Sequence, residues 1–216
     1  MFTKYGYTTI GTTVIISFLL IVIGIFVNNN IIKISLFVIA IILISFTLYF
    51  FRDPDRIQPE REDIIVSPAD GRVLFVRKIV DNKFINGEAL QVSIFMSPLN
   101  VHVNRIPISG RIDYLKHIEG RYVAAFNDRA TDLNERTEIG INSKYGKVFF
   151  TQVAGIVARR IVNTLSLGDS VEISKRFGMI KFGSRVDVIV PLNWKEKVKK
   201  DEYVVAGESI LFELKN

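Results

Sequence analysis

The 216-residue chain has no cysteine, two histidines and one tryptophan. Disulfides and thiolate chemistry are therefore excluded, although a chain without cysteine is compatible with either side of a membrane. Two histidines, with no cysteine and no ligand-like spacing, argue against a metal centre. No run of five or more basic residues and no basic-aromatic interleaving points to nucleic acid, and neither a Walker loop nor a dinucleotide fingerprint occurs. Internal repeats and low-complexity tracts are missing as well.

Charge is missing from two long stretches. Positions 8–27 carry none, and positions 31–51 carry only Lys33, near one end where its stem can snorkel. Each run is about the 20 residues an α-helix needs to cross a hydrocarbon core. Asn28-Asn-Asn30 is the whole connector, so the two runs read as a helical hairpin, with residues 1–7 and 52–216 on one side of the membrane. No small-residue cleavage site follows the first run, which favours a retained anchor over a signal peptide. Lys4, Arg52, Arg56 and Arg61 flank the open end of the hairpin, which places the remainder of the chain on the cytoplasmic face of the cell membrane. Outside residues 1–51 there are 26 basic and 22 acidic residues, a net charge of +4, which suits an anionic leaflet.

Residues 52–63 are charged, contain Pro54 and Pro59, and read as a linker. From Ile64 the chain is mainly β, with strand-like runs at 72–79, 89–96, 110–117, 148–153, 170–174, 186–190 and 208–214. Turn residues punctuate them, and about 150 residues are enough for one core. The expected fold is a β-sandwich or barrel-sandwich-like domain at 64–216 behind a transmembrane hairpin at 1–51. Residues 119–140 read as a polar, irregular loop and 155–163 as a short helix.

Gly183-Ser184 carries the most chemistry. Glycine lets the backbone take dihedrals closed to other residues, so the Ser184 hydroxyl can reach the carbonyl beside it. On the dipeptide alone a β-bulge is the simpler reading. Two further segments change that balance. Ser67-Pro-Ala-Asp-Gly71, Phe95-Met-Ser-Pro-Leu-Asn-Val-His-Val-Asn-Arg105 and Phe182-Gly-Ser-Arg185 stand in the order seen in phosphatidylserine decarboxylases. Together with the apolar runs and Phe50-Phe-Arg-Asp-Pro54, the chain resembles the short bacterial and archaeal form of that family over most of its length.

The resemblance implies a proenzyme cut after Gly183 into a β-chain, 1–183, and an α-chain, 184–216, that stay associated. Ser184 would become a covalent pyruvoyl group, with neither pyridoxal phosphate nor a metal. The substrate would be a membrane phospholipid with a serine headgroup, phosphatidylserine or archaetidylserine, held through a Schiff base while CO2 leaves. A homo-oligomer is compatible with all of this. His102 matches the family's histidine segment and Asp70 its acid, so Ser184, His102 and Asp70 are the expected catalytic residues. On sequence alone a structural histidine in Val-His-Val is the preferred reading of His102, and Asp70 reads as part of an Asp-Gly turn, which can also aim its carboxylate.

Two departures from the family pattern stand out. Arg105 occupies the place of a second histidine, leaving Arg105 or His117 to compensate. Arg185 replaces the threonine of Leu-Gly-Ser-Thr; it could bind a carboxylate or phosphate, or pair with Asp187 at the surface, since the two share a strand face. Arg159 and Arg160 are further candidates for the phosphodiester. Two other classes remain open: a serine hydrolase using Ser184, His102 and Asp70, although the nucleophile-elbow pattern is missing, and a non-catalytic membrane-anchored barrel-sandwich adaptor.

Overall fold

The structure is a computed structural model and describes residues 1–121, 123–125, 130–155, 161–181 and 183–215. The chain divides into two compact units, Met1–Asp55 and Arg56–Asn216.

The first unit contains helices α1 (Tyr7–Phe26) and α2 (Asn30–Phe50). At 1.5 Å per residue each spans about 30 Å, the thickness of a hydrocarbon core. The turn between them is closed by Asn29, whose side chain accepts from the amides of Ile31 at 2.9 Å and Ile32 at 3.3 Å and so caps α2. Gly24 lies against the Phe37 ring where a Cβ would not fit, which lets the helices approach closely. Ile15, Phe18, Ile25, Ile31 and Ile41 point outward and are exposed. Both helices are long and apolar enough to cross a membrane.

The second unit is built almost entirely from short antiparallel strands. In chain order they are β1 (Ile64–Val66), β2 (Gly71–Asp81), β3 (Gly87–Met96), β4 (Val103–Arg105), β5 (Gly110–Ile118), β6 (Arg136–Ser143), β7 (Gly146–Val153), β8 (Ile161–Asn163), β9 (Ser170–Val171), β10 (Arg176–Ile180), β11 (Ser184–Pro191), β12 (Trp194–Glu196), β13 (Tyr203–Val204) and β14 (Ile210–Leu214), with a one-turn helix, α3, at Ala130–Leu133. Among the described residues they form an eight-stranded sheet in the order β13-β2-β3-β11-β7-β6-β5-β9 and two three-stranded sheets, β1-β14-β12 and β4-β10-β8.

Strand β11 sits in the middle of the large sheet and is buried on both faces. Its even positions, Val186, Val188 and Val190, join Val92, Ile94, Ile139, Ile141, Phe150, Trp194 and Phe212 in the main core. Its odd position Ile189 packs instead with Phe84, Ala89 and Phe149. Period-2 alternation therefore aims Ser184 toward the main core and Arg185 and Asp187 at the opposite face.

The mainly β architecture agrees with the sequence pattern, but two expectations fail. Residues 136–140, the end of the stretch read as a polar loop, belong to β6, a full inner strand paired with β5 and β7. Their polar look comes from Glu138, which is buried and receives Lys83 Nζ, Arg136 Nε at 3.1 Å and the Tyr114 hydroxyl at 3.1 Å. Residues 161–163, read as the end of a helix, form β8, because Ile161, Val162 and Asn163 pair with Ile180, Met179 and Gly178 of β10. The rest of that expected helix, 156–160, lies outside the described residues.

Candidate active site

Chain geometry around residue 183 follows from one backbone angle. Strand β10 ends at Ile180, and the chain enters β11 through Gly183 at φ +47°, in the left-handed region that glycine adopts without a Cβ penalty. Ser184 then pairs with Met96 at the end of β3. The serine is fully buried, and its Oγ donates to the Met96 sulfur at 3.3 Å. A thioether is a weak acceptor, so the hydroxyl is placed without being engaged by a strong partner.

The Gly183 carbonyl is set from the other side by Gly155. A Cβ at position 155 would run into the Gly183 carbonyl oxygen and pack against the Ala125 Cβ. Only glycine leaves room for the carbonyl there. The sequence gives no hint of this contact, because residues 155 and 183 are joined only by the folded sheet.

His102 immediately precedes β4 and is fully buried. Its Nδ1 lies 2.9 Å from the Asn100 carbonyl oxygen. A carbonyl can only accept, so Nδ1 carries the proton and Nε2 is the nitrogen able to take one. Asp70 immediately precedes β2; its Oδ1 and Oδ2 lie 3.1 and 2.8 Å from Arg56 Nη2, and Oδ1 also accepts the Ala206 amide at 2.8 Å. The neighbouring Gly71 starts β2 where a Cβ would strike the Phe95 carbonyl, so this glycine serves close strand packing.

Backbone and side-chain bonds bring the three sequence motifs together. The Pro68 carbonyl accepts the Arg105 amide at 2.9 Å and Asn104 Nδ2 at 3.3 Å, which lays residues 67–70 along β4. Asn104 Nδ2 is 3.8 Å from the same Met96 sulfur that receives Ser184 Oγ. Strand β4 in turn pairs with β10, the strand leading to Gly183. Asn104 is further held by Gln152 Nε2 at 2.9 Å, and Gln152 by Asn163 Nδ2 at 3.4 Å. This amide chain went unseen in the sequence; Asn and Gln in apolar runs were its only signal.

The other candidates separate. Arg105 is buried and donates through Nη1 to the Ser174 carbonyl at 3.0 Å, beside the turn that Ser174 Oγ closes by donating to Gly207 O at 2.7 Å. His117 is half-exposed on β5, with Nδ1 3.0 Å from Thr137 Oγ1 and Nε2 3.6 Å from Glu135, three strand positions from β11. Arg185 does pair with Asp187, Nε to Oδ1 at 2.9 Å, but both are fully buried, so the pair is an interior one and not at the surface. Asp187 also accepts from Ser93 Oγ at 2.5 Å and from Thr131 Oγ1 at 2.6 Å, while Arg185 also donates to the Ala125 carbonyl at 3.3 Å and to Thr131 Oγ1. Arg159 and Arg160 lie outside the described residues. Among the described residues no group of three or more His, Asp or Glu is placed to hold a metal. A cavity of about 540 Å³ under residues 58–62, lined also by Ile108, Lys144 and Tyr145, includes none of the motif residues.

Comparison with known proteins agrees with the motif geometry. The family model described as phosphatidylserine decarboxylase matches residues 43–212. A phosphatidylserine decarboxylase proenzyme of Chlorobium limicola is 46% identical over 211 residues, 98% of this chain and 99% of that protein. One of Prosthecochloris aestuarii is 41% identical over 216 residues, 100% and 99% of the two chains, and one of Chlorobium phaeovibrioides is 49% identical over 175 residues, 81% and 80%. With its three motifs gathered around Ser184 and relatives aligned along almost its whole length, the chain belongs to the phosphatidylserine decarboxylase family.

Proposed function

We propose that the chain is a membrane-anchored proenzyme that cuts itself between Gly183 and Ser184 and then acts as a carboxy-lyase on phosphatidylserine, releasing CO2 and the ethanolamine phospholipid. The observation that carries the reading is the setting of Ser184: fully buried, yet next to a carbonyl turned by a left-handed glycine. A buried serine suits attack on its own chain. It does not suit attack on an external ester, which disfavours the hydrolase reading, and a bare structural bulge gives no reason for Gly155 to be cleared against the carbonyl.

In the proposed maturation, Ser184 Oγ attacks the Gly183 carbonyl carbon. The amide C–N bond breaks, an ester forms, and the hydroxyl proton ends on the freed nitrogen. Removal of the Ser184 α-proton then expels the Gly183 carboxylate, and hydrolysis of the resulting dehydroalanine releases ammonia and leaves a pyruvoyl group on residue 184. His102 is the base in this scheme, with the Asn100 carbonyl holding the proton on Nδ1 so that Nε2 is the accepting nitrogen. Asp70 is the acid that supports it, as a carboxylate held by Arg56 and the Ala206 amide.

A pyruvoyl group on residue 184 would supply the electron sink that decarboxylation requires. The residues fit such a group: position 184 is secluded from water, and the amide chain Asn163-Gln152-Asn104 leads to the Met96 sulfur that Ser184 Oγ contacts. His102 is the proposed proton donor to the product carbon. The serine headgroup on an ether lipid, archaetidylserine, presents the same reacting atoms, and assays on both lipids distinguish them. The positively charged flanks of the hairpin support a cytoplasmic catalytic unit.

The test is the intact mass of the purified protein under denaturing conditions. Wild type should give fragments 1–183 and 184–216, the smaller with a blocked N-terminus, and Ser184→Ala a single uncut and inactive chain. Two fragments from Ser184→Ala, or one chain from active wild type, would overturn the proposal.

A further inference from the structure

The three motifs do not include Arg56, which lies in the charged stretch read from sequence as a linker. In the fold it belongs to the second unit and grips Asp70. One guanidinium nitrogen reaches both carboxylate oxygens, and the two side chains are only 13% and 14% exposed. Exposed ion pairs contribute little because water and salt screen them and both side chains must be ordered. This pair is largely removed from water, and the Ala206 amide completes the hold on the carboxylate. Arg56 is itself steered: its Nη1 stands 4.0 Å from Glu208, whose Oε1 accepts the Ile57 amide at 2.8 Å.

The position of Asp70 matters because of what its backbone touches. Residues 67–70 are clasped between the turn at 206–209, through Ser67 N to Ser209 O and Gly207 N to Ser67 O, both 2.8 Å, and β4, through Pro68 O. Strand β4 directly follows His102. A carboxylate rotated off this spot keeps its backbone in place but loses its aim. The backbone bonds set where residue 70 is, and Arg56 sets where its oxygens are.

We infer that Arg56 is a positioning residue for self-cleavage, acting through Asp70. The inference rests on the role proposed for Asp70, and the experiment keeps the two apart. Cleavage rates are measured by pulse-chase on the full chain in membranes for wild type, Arg56→Ala, Arg56→Lys, Asp70→Asn, the Arg56→Ala/Asp70→Asn double variant, and Arg61→Ala as a control. Arg61 is an exposed arginine of the same stretch that pairs with Asp63 and Glu213. Melting temperatures are compared in the uncut Ser184→Ala background.

Arg56→Ala should slow cleavage tenfold or more, Arg56→Lys less, and added guanidinium ion at non-denaturing concentration should restore part of the rate to the alanine variant. Arg61→Ala should cleave as wild type. The double variant should be no slower than Asp70→Asn alone, because the arginine acts only through that carboxylate. If Asp70→Asn is slow and Arg56→Ala is not, the inference falls and the role of Asp70 stands. If Asp70→Asn cleaves at the wild-type rate, the role of Asp70 falls first. A slow Arg56→Ala that neither lysine nor guanidinium rescues, with a melting temperature lowered to match, marks Arg56 as an anchor for the linker only and overturns the inference.

Discussion

Gly155 shows how a single hydrogen in place of a methyl can set the position of a carbonyl far away in the chain. Its Cα faces the Gly183 carbonyl, and a Cβ would displace the oxygen or push residues 155 and 183 apart. Misplacement of a reacting group by about 1 Å can cost about 10²-fold in rate. Gly155→Ala should therefore slow self-cleavage by about that factor, read as persistence of the uncut chain on a denaturing gel after a chase. Cleavage at the wild-type rate would show that the carbonyl is not held from this side. Ser184, His102 and Asp70 stood out in the sequence because short, dense motifs carry them. Gly155 and Arg56 did not, since each matters through one contact with a residue far away in the chain, and a lone glycine or a linker arginine carries no local pattern.

At the scale of elements, the strands legible in sequence were the longer runs rich in apolar residues between turn signals. Strands β2, β3, β5, β7 and β11 fall close to the runs expected for them. Strand β6 was hidden because each of its two buried faces carries a polar residue, Thr137 on one and Glu138 on the other. Strands β4, β8 and β10 were missed for a different reason: they are three to five residues long and exist by pairing with one another.

The buried acid of β6 gives that strand a pH signature. Burial alone would raise the Glu138 pKa, but the hydrogen bonds from Lys83 and Arg136 outweigh it and hold the carboxyl below its ordinary 4.5. A carboxyl with a depressed folded pKa contributes stability that is present above its unfolded value and lost as pH falls through the folded one. Glu138→Gln should thus lower the melting temperature of the uncut Ser184→Ala chain near neutrality, and the gap between the two should narrow below about pH 4.5. A gap that stays constant into acid would assign the loss to packing.

For the molecule as a whole, the division at Asp55 separates the apolar helices from the unit that holds every motif residue described around Ser184. Removing residues 1–51 should abolish tight membrane attachment while leaving self-cleavage intact. Turnover on lipid vesicles should fall far more than turnover on a short-chain serine phospholipid. Loss of cleavage in the truncated chain, followed by intact mass, would mean that the helices are needed for the β unit to fold.

Residues 184–215 supply β11, which lies between β3 and β7, and β14, which lies between β1 and β12. A chain cut after Gly183 therefore has a fragment threaded through the middle of two sheets, and the cut changes the molecularity of folding. The uncut chain folds in a first-order process, with both halves tethered. The mature pair, once unfolded, has to meet again in a second-order encounter with no tether to raise the local concentration. Recovery after denaturation should be independent of dilution for Ser184→Ala and fall steeply with dilution for the mature protein, so the proposed self-cleavage would act as a ratchet: the sheets assemble easily once, before the cut, and unfolding afterwards is effectively one-way.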